Sequence, residues 1–307
     1  MQVHYSTDRL PTFKNLVITI GTFDGVHLGH RQIIDSLKQE ASLASGESLI
    51  ITFHPHPRRI VSSVITGVRL INTLDERIEL LEKTGIDHLV VVAFTDYFAN
   101  QGGEEYIRDF LVEKFHPHTI IIGYDHRFGK ERKGDFSLME EKAGVYGYRL
   151  KEIPVHILDA LKVSSSNIRN AILQSHIEEA NKLLGYPFFF EGEVVHGDKI
   201  GRTIGYPTAN LKCTDEEKIV LGDGIYAVYA RHASKTYKGM MSIGFRPTIN
   251  GRSRVTEVNL FDFNEEIYGQ FIRVTVIKYL RGEERFDGLE QLKLQLHIDK
   301  EQSLKVL

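Results

Sequence analysis

Cysteine is nearly missing: Cys213 is the only one in 307 residues. An internal disulfide is therefore excluded, and so is a cluster of metal-bound thiolates. An excess of one charge is missing too. Lys and Arg total 38 against 41 Asp and Glu, a net charge of -3. That argues against a broad, nonspecific grip on a nucleic-acid backbone and leaves room only for a local basic patch. No hydrophobic run approaches membrane-spanning length, and the opening "MQVHYSTDRLPTF" has no apolar core segment. Internal repeats and low-complexity tracts are lacking as well. What is present, 42% hydrophobic and 26% charged residues, is the composition of a globular chain with a full core, long enough for two ordinary domains. A cytoplasmic enzyme or binding protein is the expectation.

The first half alternates apolar runs with helical patterns. "NLVITIG" (15–21), "SLIITF" (48–53), "HLVVVAF" (88–94) and "HTIIIGYD" (118–125) read as buried strands. Between them fall helices from about Leu28, over "DERIELLEKTG" with a stop at Gly85, and over "EEYIRDFLVEKF". Such alternation predicts an α/β fold with a doubly wound parallel sheet. One long helical segment, "SSNIRNAILQSHIEEANKLLG", then ends at Gly185, with Pro187 just beyond. After it the texture changes to aromatic and β-branched runs separated by glycine-rich turns, "FFFEGEVV" through "FIRVTVIKYL". Those predict an antiparallel β-barrel or sandwich, closed by an amphipathic helix from about Phe286. Two domains are expected, 1–186 and 187–307.

"GTFDGVHLGH" (21–30) lies where a strand opens into a helix, the place where open α/β sheets bind ligands and helix N-termini favour anions. It is neither of the common phosphate loops, G-x-G-x-x-G or G-x-x-x-x-G-K-[ST]. Gly21 and Gly25 permit a tight turn, and Gly29 permits close approach of a ligand. His27 and His30 project to one side of a helical turn. Beside a polyphosphate both imidazoles would be biased toward the charged form, so a triphosphate is the expected ligand. Two ordinary histidines, or a zinc pair lacking a third ligand, are the alternatives.

Three further stretches belong to this half. "TFHPHP" (52–57) holds Pro55 and Pro57, read as an extended, rigid ledge for a flat ring or as a plain loop. "GYDHRFGKERKGD" (123–135) carries Arg127, Lys130, Arg132 and Lys133 in a glycine-bounded loop, a clamp on phosphates or a solvated turn. In "VSSSNIR" (163–169), Ser165 or Ser166 suits a helix cap, with Arg169 one turn on. Together with the first motif, which looks like the H-x-G-H signature of nucleotidyltransferases, these stretches resemble the flavin-adenylating module of bacterial bifunctional riboflavin kinase/FAD synthetases. The resemblance implies a Rossmann-like nucleotidyltransferase fold. It also implies an ATP site formed by Gly21, Phe23, Asp24, His27, Gly29, His30, Asp125, Arg127, Ser165, Ser166 and Arg169, with flavin against Pro55 and Pro57. His27, His30 and Arg169 would stabilise charge during adenylyl transfer. The family often has asparagine, phenylalanine and threonine where Asp125, His126 and Ser166 stand.

In the second half, "GDKIGRTIGYPTANL" (197–211) places Thr208 and Asn210 two apart in an extended segment, so they share a face. A hydroxyl and an amide oxygen are hard ligands suited to Mg²⁺, although a turn-rich hairpin would explain the same residues. Glu257 sits in a strand with Val255, Asn259, Phe261 and Phe263 on its side, a general base or a rim glutamate. "PTAN", "GIYAVYA" (224–230), "SIGFRPT" (242–248) and "YLRGEERFDGLEQL" (279–292) are similar to the riboflavin kinase half of the same family. The resemblance implies ATP near Gly197, Gly201, Arg202, Pro207, Thr208 and Asn210, and Mg²⁺ on the last two. Flavin would lie near Arg281, Glu283 and Phe286, with Glu257 as the base.

The implied function is flavin cofactor synthesis: riboflavin to FMN with ATP in the second domain, then FMN to FAD with ATP and release of pyrophosphate in the first. A cytidylyltransferase fits the first motif but leaves the β-domain unexplained. A flavin sensor without turnover fits the pockets. Small molecules are the expected partners, without nucleic acid or membrane, and self-association is left open.

Overall fold

The computed structural model describes residues 1–61, 69–123, 126–153, 163–197, 200–248 and 251–307. Contacts divide the chain into two compact units, Met1–Val68 with Asn72–Ser164, and Arg69–Ile71 with Ser165–Leu307.

The first unit is built on six strands: β1 (Gln2–His4), β2 (Val17–Ile20), β3 (Ser48–His54), β4 (His88–Ala93), β5 (Thr119–Gly123) and β6 (Arg149–Ile153). Their order is β1-β4-β3-β2-β5-β6, and every pairing is parallel. Leu49, Ile50, Ile51, Ile120 and Ile121 are shut off from solvent, as expected where helices cover both faces of a parallel sheet. The edge strands escaped the sequence reading for a physical reason. β1 has three residues, and β6, "RLKEI", is mostly exposed and lacks an apolar run. The chain runs outward from β2 through β3 to β4, then returns to β5 on the other side of β2. The topological switch point therefore falls between β2 and β5, and their carboxyl ends frame a crevice.

Helix α1 (Leu28–Leu43) follows β2. Helix α2 (Leu74–Glu82) starts in a complete capping box, Thr73 with Glu76, and the chain leaves it through Gly85 at φ +76°. The expected helix over "EEYIRDFLVEKF" is interrupted: Tyr106–Val112 is π-helical, between short α-helical turns. Helix α3 (Phe136–Tyr146) is capped by Asp135, which accepts the Leu138 amide.

In the second unit the long helix expected over 165–185 is two, α4 (Ser165–Leu173) and α5 (Ile177–Leu184). Ser175 breaks it at φ +63°. The Tyr226 hydroxyl donates to Ser175 Oγ at 2.9 Å, and a Cβ on Gly222 would lie 2.3 Å from that oxygen. Side-chain packing against the barrel thus overrides helical propensity. Strands β7 (Phe189–Val195), β8 (Ala209–Lys212), β9 (Gly224–His232), β10 (Lys235–Thr248), β11 (Gly251–Leu260) and β12 (Phe271–Arg281) close into an antiparallel barrel in the order β10-β11-β8-β7-β12-β9. Closure leaves no edge to aggregate. Helix α6 (Leu289–Val306) follows, three residues later than expected. Its buried side chains are polar, Asp299 and Ser303, while Leu294 is exposed, so it departs from a simple amphipathic pattern. Residues 69–71 join this unit through a parallel bridge from Leu70 to Lys218. The buried Lys218 ammonium donates to the Ile71 carbonyl at 2.7 Å and the Phe189 carbonyl at 2.8 Å.

Candidate active sites

At the carboxyl end of β2 the chain makes a strained turn. Phe23 and Val26 have φ +49° and +36°, and Gly25 has φ +91°. Non-glycine residues in this region cost on the order of 1–2 kcal/mol each, a cost that tertiary structure must offset. The turn delivers His27 as the N-cap of α1, where its Nδ1 accepts the His30 amide at 3.2 Å. The His27 and His30 rings stack at 3.6 Å and 13°, and Phe23 lies 5.0 Å from His30. A Cβ on Gly29 would lie 3.3 Å from the His27 ring, so this glycine makes room for the imidazole as well as for a ligand.

The pair is brought together as expected. Burial, then His27, then Arg77 hold the His30 imidazole well below its ordinary value of 6.5. His27 presents its other ring nitrogen, Nε2, away from that bond. The expectation that both rings become biased toward charge applies beside a polyphosphate; without one, His30 is held toward its neutral form.

Asp24 is 1% exposed and accepts the Asn72 amide at 3.2 Å, bracing the turn from within. Gly21 packs under the Phe23 ring. In "TFHPHP" the ledge is not extended throughout: His54–Pro55 is a cis peptide, and Pro57 opens a helical turn, Pro57–Val61, since proline tolerates that first position. The basic loop is closed at its base by paired Phe128 and Gly134, and Arg127 reaches Asp135 at 2.6 Å. Asp125 lies outside the described residues. Ser165 and Ser166 open α4, and Arg169 Nε donates to the Arg69 carbonyl at 2.8 Å. By contacts these three residues belong to the second unit.

In the barrel, Glu257 stands opposite Ser242 on β10 and Asn210 on β8. Its Oε1 is 3.4 Å from Thr208 Oγ1. Val255, Glu257 and Asn259 line one cavity of about 480 Å³, which confirms the alternation for three of five residues. The strand ends at Leu260, and Phe263 lines a second cavity instead, of about 440 Å³, with Arg202 and Pro207. Thr208 borders both. Gly197 is needed for Asn210: a Cβ there would sit 2.2 Å from the amide nitrogen. Gly201, Glu283 and Phe286 line the larger cavity, and Glu283 packs directly over Gly244. Arg281 points its fork at Asp299, with bonds of 2.8 and 2.7 Å. Burial opposes that charge, but the Asp299 carboxylate more than offsets it and holds Arg281 above its usual value.

Two residues went unnoticed in the sequence, Arg77 and Asp299. Both are buried charges on helices, at 4% and 0% exposure, each in a run that also carries exposed charges, which hid them.

One unit has a switch-point crevice headed by paired histidines, and the other a barrel holding a carboxylate and a hydroxyl where two cavities meet, arrangements of the kind phosphate chemistry uses. Comparison with known proteins is more specific. The family model for FAD synthetase matches residues 10–167, and that for riboflavin kinase matches 184–307. A bifunctional riboflavin kinase/FMN adenylyltransferase from Listeria monocytogenes is 36% identical over 94% of this chain and 91% of its own length. The Bacillus subtilis protein of that description is 37% identical over 94% and 92%. A solved structure from Streptococcus pneumoniae, described as a macrolide-efflux protein, superposes with TM-score 0.87 at 31% identity over 97% of both chains. The chain belongs to the bifunctional riboflavin kinase/FMN adenylyltransferase family.

Proposed function

We propose that this chain makes FMN from riboflavin in its barrel and FAD from FMN at the sheet crevice, using ATP twice. The observation that carries this reading is that each unit has its own phosphate-handling constellation: His27 stacked on His30 at the switch point, and Thr208 beside Glu257 where two cavities meet.

In the barrel, flavin occupies the larger cavity, against Phe286 and Arg281, and ATP occupies the smaller, against Arg202 and Pro207. Their reacting ends meet at Thr208. Glu257 takes the proton of the riboflavin 5′-hydroxyl, whose oxygen attacks the γ-phosphorus and expels ADP. Thr208 Oγ1 and the Asn210 amide oxygen are hard-oxygen donors of the kind Mg²⁺ takes, with water and phosphate completing its shell. Bound there, Mg²⁺ would neutralise charge on the phosphates.

At the crevice, the FMN phosphate attacks the α-phosphorus of ATP and expels pyrophosphate. A phosphate is an adequate nucleophile, so no side chain becomes covalently attached. His27 and His30 donate N–H groups toward phosphate oxygens at the N-terminus of α1, where the helix dipole also favours negative charge. Arg127 is the proposed further phosphate contact, and Pro55 and Pro57 the flavin support; Arg169, expected from the sequence in the same role, belongs by contacts to the second unit. The functional division is proposed at 186/187; the two family matches leave 168–183 between them, and contacts place that stretch with the barrel. The enzyme is proposed to act in the cytoplasm on small molecules alone. Incubation of the purified chain with riboflavin and MgATP, with flavins resolved by chromatography, is expected to show FMN and then FAD. A preference for CTP, or flavin binding without ATP cleavage, would refute the reading.

A further inference from the structure

Arg77 has no part in the chemistry above, yet it is among the least exposed charges of the first unit, at 4%. It projects from α2 to two backbone carbonyls on different segments. One guanidinium nitrogen donates to Thr22, inside the strained turn that presents His27, and another to Phe53 at 3.3 Å, on the strand end leading into "HPHP". Its Nε is buried without a partner. The Thr22 carbonyl is also bonded by Thr52 Oγ1 at 3.2 Å. A buried cation costs several kcal/mol even with partners; the buried Asp24 carboxylate offsets part of that cost for Arg77, and two backbone carbonyls take its donors. What arginine supplies is geometry: a rigid planar fork that holds two acceptors at a fixed separation, which a lysine ammonium on a flexible stem does not.

We propose that Arg77 is a positioning residue for adenylyl transfer: its fork sets the spacing between the nucleotide turn at Thr22 and the flavin-side loop that begins at Phe53. This rests on the assignment of those two loops to ATP and FMN. In-line attack requires the FMN phosphate and the α-phosphorus to approach within about 3–3.5 Å, and a displacement of about 1 Å costs on the order of 100-fold in rate. Each substrate binds its own loop, so a spacing error leaves binding nearly intact and lowers turnover.

The test is R77K, with R77M beside it, in the full chain. FAD formation from FMN is measured as kcat and as separate KM values for ATP and FMN. Riboflavin phosphorylation in the same samples serves as the internal control, and hydrogen exchange of the β2 and β3 amides reports the fold. R77K is expected to lose about 10- to 100-fold in kcat, with both KM values within about threefold of wild type, unchanged phosphorylation and retained amide protection. R77M is expected to be at least as impaired. A kcat for R77K within threefold of wild type overturns the proposal, as does a loss confined to KM. Loss of β2 and β3 protection in step with activity also overturns it, because the arginine is then a structural staple. A wild-type chain that makes no FAD refutes the function itself, and this inference with it.

Discussion

His27 accepts the His30 amide through Nδ1, a helix cap typically worth about 1 kcal/mol. His30 is held well below 6.5 by burial and by its neighbours His27 and Arg77, so it resists protonation in the folded chain. The unfolded chain gains a proton on this residue as pH falls through about 6.5, while the folded chain does not. The stability contribution is therefore intact above that pH and lost below it. Each pKa unit of depression is worth about 1.4 kcal/mol, and about 1 kcal/mol moves the melting point of a unit this size by about 2–4 °C. The melting temperature of the first unit is expected to fall between pH 7 and pH 5, and His30→Asn to flatten that slope. An unchanged slope in His30→Asn contradicts this. Binding of ATP brings negative charge that favours the imidazolium, so calorimetry in buffers of different ionisation enthalpy should show proton uptake at pH 7. The identities of the histidines were legible because few motifs place two at a turn into a helix. The depression of His30 was not, because it depends on burial, on His27 and on Arg77, which approaches from 47 positions away in the sequence.

Elements were legible where local pattern and packing agree. Buried parallel strands have continuous apolar runs, and α2 has its capping box written into "TLDE". Where tertiary contacts decide, the pattern misleads. The break at Ser175 comes from Tyr226 and Gly222 in the barrel, and the polar inner face of α6 comes from Arg281. Two predictions belong here. Gly197→Ala drives a methyl into the Asn210 amide, 2.2 Å away, and is expected to lower FMN formation at least tenfold while FAD formation from supplied FMN stays within twofold. Equal losses in both would contradict the assignment of Asn210 to the kinase. Asp299→Asn keeps the shape but removes the charge that holds Arg281. The expected result is a KM for riboflavin raised several-fold, with adenylylation unchanged; an unchanged KM would detach Arg281 from the flavin cavity.

At the scale of the molecule, two units carry two constellations, and their order along the chain is the reverse of their chemical order. The change from alternating strand and helix to aromatic β-strands announced both folds. The inclusion of residues 69–71 in the barrel unit was hidden, because it rests on pairing with residues 217–219 far along the sequence. The central claim is that FMN and FAD are made at separate sites. It is tested most directly by chromatography of products from Glu257→Gln and His30→Ala, each given riboflavin with MgATP and, separately, FMN with MgATP. Glu257→Gln is predicted to make no FMN and to convert supplied FMN to FAD at near wild-type rate, while His30→Ala accumulates FMN and makes no FAD. Loss of both activities in either folded variant would contradict the account.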